Sequence, residues 1–291
     1  MRLVTFSHHG HVRLGAMVSR GGQEHILELG PAQPDLPSEM VEFLNTGETA
    51  FALASRAIAS ADERYLLPEA GVTLLAPVPR PGKIICLGHN YHDHMGKGKT
   101  SPDEYPTLFC KTVNTVIGPG QAIVIPRGTH QVDYEAELAV VIGKRARHVT
   151  PERALEFVAG YTIFNDVSAR DYQKRTSQWM IGKSFDTFGP MGPVLVTTDE
   201  IPDPHGLELS LTLNDLEMQR TNTRNMIFTI PYLIAYLSDV MTLEPGDVIS
   251  TGTPAKTSLA QSAPPFVKPG DKVKIYIEKI GDLVNPVVAE A

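Results

Sequence analysis

From residue 83 onward the chain is cut into short apolar runs, each closed by glycine, proline or aspartate, and this spacing leaves little room for helices. KIICLG (83–88), AIVIP (122–126), ELAVVIG (137–143), YTIFND (161–166), GPVLVT (192–197), LELSLTLN (207–214), DVIST (247–251) and KVKIYIE (272–278) all read as strands. Helical spacing is confined to about 151–158, 168–174 and 229–240, the first opened by Thr150 as N-cap and Pro151 at the first helical position. More strands than helices, without strand–helix alternation, predicts a β-rich α+β fold rather than a doubly wound sheet. Upstream, residues 1 to about 30 read as a small meander, and 38–60 as helix broken near Asn45 and Gly47. The Pro-rich LLAPVPRPGK (74–83) reads as a stiff linker. These features predict a small N-terminal α+β domain, 1–75, and a catalytic domain, 76–291.

Charge and composition narrow the function. The chain has 33 acidic and 26 basic residues in 291, a net charge of −7, which argues against a nucleic-acid partner. Cys86 and Cys110 both lie in apolar runs and read as buried thiols of a reducing compartment, with no disulfide framework. No apolar stretch approaches the ~20 residues of a membrane span, so no membrane partner is expected. The first residues lack the apolar core and small-residue cleavage site of a signal peptide, which makes cytoplasm the expectation. No GxGxxG or Walker sequence supports a nucleotide cofactor.

The chemistry concentrates in four segments. Glu135 and Glu137, two apart at the start of an apolar strand, project from one face and repel each other unless a cation or proton lies between them. Oxygen ligands of this kind suit Mg²⁺, Mn²⁺ or Ca²⁺, although E-x-E also reads as a solvated strand face. Asp166 closes YTIFND, with Arg170 and Gln173 a helical turn beyond it, a pattern that suits a metal and an anionic substrate as well as an ordinary helix start. Lys183 sits among apolar and aromatic residues, where an ammonium would stabilise a developing oxyanion or simply snorkel to water. His89, His92 and His94 have a spacing that suggests zinc, but without cysteine partners a histidine general base is the better reading. The remaining histidines, His205 among them, read as surface residues.

In order along the chain, G-x-N-Y-x-D-H, D-Y-E-x-E-L, N-D-V-S-A-R-D-x-Q, G-K-S-F-D-T-F-x-P-x-G-P and T-G-T-P resemble the fumarylacetoacetate hydrolase family, and within it the two-domain branch. The resemblance spans about 80–290. It implies a mixed β-sandwich roll, assembly as a homodimer, and a Mg²⁺ or Mn²⁺ site formed by Glu135, Glu137 and Asp166. It further implies substrate contacts from Arg170, Gln173, Lys183 and Thr253, and water activation by His94. Relatives pair that histidine with a glutamate three residues on; here the position is Lys97, and the substitute acid would come from Asp103 or Glu104 in the segment 95–104 that matches the family's lid. The expected activity is metal-dependent hydrolysis of the C3–C4 bond of an acylpyruvate-type 2,4-dioxo acid through an enolate. Oxaloacetate decarboxylation and hydroxymuconate-type isomerisation fit the same residues, and a weakly active metal-binding protein is the remaining alternative.

Overall fold

A computed structural model describes residues 1–94, 105–258, 260 and 266–291, with His94 described in its backbone only. The first three strands, β1 (Arg2–His8), β2 (His11–Arg20) and β3 (Gln23–Glu28), form the expected meander, followed by helices α1 (Met40–Thr46) and α2 (Glu48–Ser60). Next come β4 (Ile84–Gly88), β5 (Thr107–Lys111), β6 (Ala136–Ile142), β7 (Val158–Asn165), the single-turn helices α3 (Arg170–Gln173) and α4 (Met180–Lys183), and β8 (Gly189–Thr197). The chain closes with β9 (Glu208–Leu213), β10 (Leu216–Asn222), α5 (Ile230–Val240), β11 (Val248–Ser250), β12 (Lys272–Ile277) and β13 (Gly281–Ala289).

One mixed sheet runs β3-β2-β1-β8-β7-β6-β11-β4-β5, extended by shorter strands to twelve in all. A second, five-stranded sheet runs β10-β9-β12-β13 and ends on the strand Ile123–Ile125. The fold is therefore β-rich with mixed sheets, as the sequence predicts. The meander joins the main sheet through antiparallel pairing of β1 with β8, Leu3 opposite Leu195. The Pro-rich stretch is packed down: Ala76 and Val78 are buried, and Thr5 Oγ1 donates to Pro77 O.

The central strand β6 explains the layering. All seven of its residues are buried, because β7 and β11 flank it and both of its faces are covered. Leu138, Val140 and Ile142 point into a core shared with Leu209, Leu211, Val273 and Ile275 of the second sheet. Ala139 and Val141 point the other way, into a core shared with Leu3, Phe43 and Leu44. Each large aliphatic side chain buried here contributes roughly 1.5–3 kcal/mol. Glu137 has the parity of Ala139 and Val141, so its carboxylate is forced into the interior.

Several local expectations change. Residues Pro151–Phe157 form a 3₁₀ helix, and Thr150 makes no side-chain cap hydrogen bond there. The segment expected as helix 168–174 begins instead as the short strand Ser168–Ala169 paired with Val132–Asp133, leaving one helical turn at Arg170–Gln173. Cys110 is exposed rather than buried, because β5 is an edge strand and its alternate side chains face outward. His205 is not a simple surface residue: its Nε2 accepts from Ile230 N, the first N–H of α5.

That cap requires a neutral imidazole. Burial lowers the His205 pKa and the nearby Asp203 carboxylate only partly opposes it. The unfolded chain therefore takes up the proton first, and the contribution is full above an ordinary pKa of about 6.5 and fades as pH falls below it. A His205→Leu variant should lose about 1 kcal/mol at pH 8. Its melting temperature should also fall less steeply than that of the wild type between pH 7 and 5. Parallel melting curves for the two proteins would contradict the cap.

Candidate metal centre and active site

The paired ends of β6 and β7 bring the carboxylates together. Asp166 N donates to Glu135 O at 3.0 Å, and Glu135 N donates to Asn165 Oδ1 at 3.0 Å, so the two strand ends are tied at the point where acidic side chains leave them. Glu135, Glu137 and Asp166 are all buried, and one oxygen from each lies within 4.8 Å of the others. Among the described residues they are the candidate metal-binding cluster, and zinc coordination by the histidines gains no support: His92 is exposed, while His89 packs edge-on to Trp179.

Glu137 is anchored from β11 and the turn that follows it. Ser250 Oγ and Gly252 N donate to its Oε2 at 2.6 and 2.8 Å. Gly252 has φ +94°, and a Cβ there would lie 2.8 Å from the Cβ of Asn90, so only glycine aims this N–H at the carboxylate. Asn90 clamps the same turn, donating to Thr251 O at 2.7 Å and accepting from Phe228 N at 2.7 Å.

The other two carboxylates carry cations. Lys183 Nζ bridges Glu135 Oε2 at 2.5 Å and Asp166 Oδ2 at 2.7 Å. Its helix sits tight against α3, since a Cβ on Gly182 would fall 2.5 Å from Gln173 N. Lys111, which sequence reasoning misses, donates to Asp166 Oδ1 at 2.7 Å and Val167 O at 3.0 Å. On the other side Arg170 binds Glu135 Oε1 at 2.6 Å, Asp133 Oδ2 at 2.9 Å and Gln173 Oε1 at 2.9 Å. Asp133 also takes Lys256 Nζ at 2.8 Å on its other oxygen. Asp133 and Lys256 likewise receive no role from the sequence. A lysine closing an apolar strand, or following a turn, carries no local mark of such a partner.

Electrostatics sorts these groups. Burial alone would raise Glu135, but the Arg170 guanidinium and Lys183 ammonium outweigh it and hold this carboxyl well below its ordinary range. Burial opposes the charge on Lys183 too, yet Asp166 and Glu135 outweigh it and keep its pKa above the ordinary lysine value. Lys111 goes the other way, lowered by burial that Asp166 offsets only in part. Glu137 is pushed well above the carboxylate range by burial and then by the nearby Asp166 and Glu135 charges. A buried carboxylate repelled by two others is what a hard divalent cation relieves, and the all-oxygen donor set fits such an ion.

Above the cluster opens a cavity of about 570 Å³, floored by Glu135 and Lys183 and walled by Arg170, Gln173, Thr253 and Trp179. The expected substrate residues are thus brought together. Arg170 spends its donors on Asp133, Glu135 and Gln173, and Thr253 Oγ1 accepts from Gln219 Nε2 at 2.9 Å. The side chain of His94, together with Lys97, Asp103 and Glu104, lies outside the described residues.

Residues 83–288 match the model of the fumarylacetoacetate (FAA) hydrolase C-terminal family. The chain belongs to the fumarylacetoacetate hydrolase family. It is 43% identical over 293 residues to the mitochondrial oxaloacetate tautomerase Fahd2a of Rattus norvegicus, covering 99% of this chain and 92% of the relative. Among solved structures it resembles the maleylpyruvate hydrolase of Sphingobium sp. SYK-6 in complex with manganese(II) and pyruvate, with TM-score 0.80 and 34% identity over 100% of both chains. It also resembles the 5-carboxymethyl-2-hydroxymuconate delta-isomerase of Mycobacterium smegmatis, with TM-score 0.79 and 35% identity over 100% of both chains. The rat relative is a mitochondrial protein, which overturns the cytoplasmic expectation drawn from the N-terminus and cysteines.

If the three carboxylates form a cation site, divalent ions should stabilise the fold by mass action, about 2.7 kcal/mol at a hundredfold excess over Kd. Glu137→Gln keeps an acceptor for Ser250 and Gly252, so its metal-free melting temperature should stay near that of the wild type. The rise on adding Mn²⁺ should disappear in that variant. A full rise in Glu137→Gln would contradict the site.

Proposed function

We propose that this chain transfers a proton at the carbon beside the keto group of a small 2-oxo acid, interconverting keto and enol forms, with oxaloacetate as the reference substrate. Lys183 carries this reading: it is a buried ammonium, kept charged by two carboxylates, at the floor of a cavity of substrate size. In enolisation a proton leaves C3, the C3–H bonding pair forms the C2–C3 double bond, and charge collects on the 2-oxo oxygen, which takes up a proton to give the enol. An ammonium donor aimed at that oxygen binds more tightly as the charge develops, and so lowers the barrier rather than the ground state. Thr253 and Gln173 on the wall orient the substrate. Arg170 holds Asp133 and Glu135 in place. His94 is the proposed proton acceptor.

A Mg²⁺ or Mn²⁺ ion held by Glu135, Glu137 and Asp166 would supply Lewis acidity toward the same keto acid. The likeness to the rat oxaloacetate tautomerase supports this reading, and so does the likeness to the hydroxymuconate isomerase. A second reading, hydrolysis of the C3–C4 bond of an acylpyruvate, is favoured by the likeness to a maleylpyruvate hydrolase. It ranks below the first because hydrolysis asks for a carboxylate beside His94, and Lys97 occupies the position where relatives place it.

Loss of the enol's ultraviolet absorbance follows the reaction directly. Lys183→Met, which keeps most of the stem, should lower kcat about a hundredfold or more while KM moves little. A change confined to KM would make Lys183 a substrate clamp and remove the ground for the proposal. Pyruvate release from an acylpyruvate faster than enol loss from oxaloacetate would favour hydrolysis instead.

A further inference from the structure

The buried charges do not stop at the cluster beneath the cavity. Lys111, Asp166, Lys183, Glu135, Arg170 and Asp133 alternate in sign, three cations against three carboxylates, each linked to the next by an ion pair. Asp133 is already matched by Arg170, whose Nε lies 3.0 Å from Oδ2. Lys256 then adds a further cation at Oδ1, on the cavity wall. Its ammonium lies 4.7 Å from the centre of the Tyr134 ring, and its backbone bridges to Gln219, so the group is placed rather than trailing in solvent. Among the described residues the cavity wall carries Arg170, Lys174, Lys183 and Lys256 against Asp133 and Glu135, four positive charges to two negative, in a protein whose net charge is −7. Such a wall concentrates anions.

Lys183 and Lys256 stand at opposite sides of the Asp133–Arg170–Glu135 unit, with two carboxylates and a guanidinium between them. A ligand reaching both needs two anionic ends. We propose that Lys256 is a specificity-determining residue that binds the second carboxylate of a 2-oxo dicarboxylate, whose keto end lies at Lys183. This rests on the 2-oxo acid reading above and deepens it by naming the residue that selects dianionic 2-oxo acids over monoanionic ones.

Binding separates this role from catalysis. The probes are 3,3-difluoro-oxaloacetate and 3,3,3-trifluoropyruvate, which differ by one carboxylate and cannot enolise, titrated calorimetrically in Mn²⁺ buffer. Wild type should bind the dicarboxylate about ten- to hundredfold tighter, the gain expected for one charge-assisted hydrogen bond. Lys256→Met should shrink that preference to within about threefold by weakening the dicarboxylate alone. Asp133 keeps Arg170 in this variant, so the fold should hold, and Lys256→Arg, which keeps the cation, should retain the preference. Equal weakening of both ligands by Lys256→Met, or an unchanged preference, would overturn the proposal by making the lysine structural or idle. Equal affinities in the wild type would overturn it while leaving the 2-oxo acid reading intact. Failure of the wild type to bind either ligand would overturn both.

Discussion

The structure around the cavity depends on one constraint: charges taken out of water must find opposite charges at hydrogen-bond distance. Removing an ion from solvent costs several kcal/mol even after relaxation, and only close, well-oriented partners offset this. Here Lys111 and Lys183 share Asp166, Lys183 and Arg170 share Glu135, and Arg170 and Lys256 share Asp133. Each carboxylate of this chain of ion pairs therefore has two cations, one to each oxygen. Removing an inner member such as Arg170 leaves two carboxylates buried with half their cations, so the inner pairs respond largely as a unit, whereas loss of Lys256 at the end of the chain leaves Asp133 still paired with Arg170.

This constraint assigns work to parts of the fold that otherwise look incidental. Pairing of β6 with β7 sets Glu135 beside Asp166, and β11 supplies the Ser250 hydroxyl for Glu137. The close approach at Gly182 lets α4 deliver Lys183 over the strand ends, while β5 delivers Lys111 to the same carboxylate, Asp166. Glu137 is the exception. Its partners are a hydroxyl and a backbone N–H, and its pKa is pushed upward by burial and by its neighbours' charges. The centre is thus held ready at Glu135 and Asp166 and left electrostatically incomplete at Glu137, which is where a divalent cation gains most.

Much of this is legible in the amino-acid sequence, because its signals are local. Glu135 and Glu137 share a strand parity, Asp166 closes an apolar run, and Lys183 stands out among aromatic residues. The strands around them are visible from turn residues and β-branched content. The members that sequence reasoning misses are long-range. Lys111 meets Asp166 across 55 residues and Lys256 meets Asp133 across 123, and neither lysine differs in its local sequence from a solvated one. Cys110 is misplaced because an apolar run does not say whether its strand lies at a sheet edge. The helix expected over 168–174 is shortened by pairing of Ser168 and Ala169 with Val132 and Asp133, a tertiary contact that overrides local spacing. His205 escapes notice because its partner is a backbone N–H in a helix 25 residues later.

Anomalous diffraction from crystals grown with Mn²⁺ reports whether the three carboxylates share a cation. One strong manganese peak is expected among the carboxylate oxygens of Glu135, Glu137 and Asp166, at the cavity floor beside Lys183. A well-ordered crystal in saturating Mn²⁺ with no peak there, and Lys183 still holding Glu135 and Asp166 alone, would contradict a shared site.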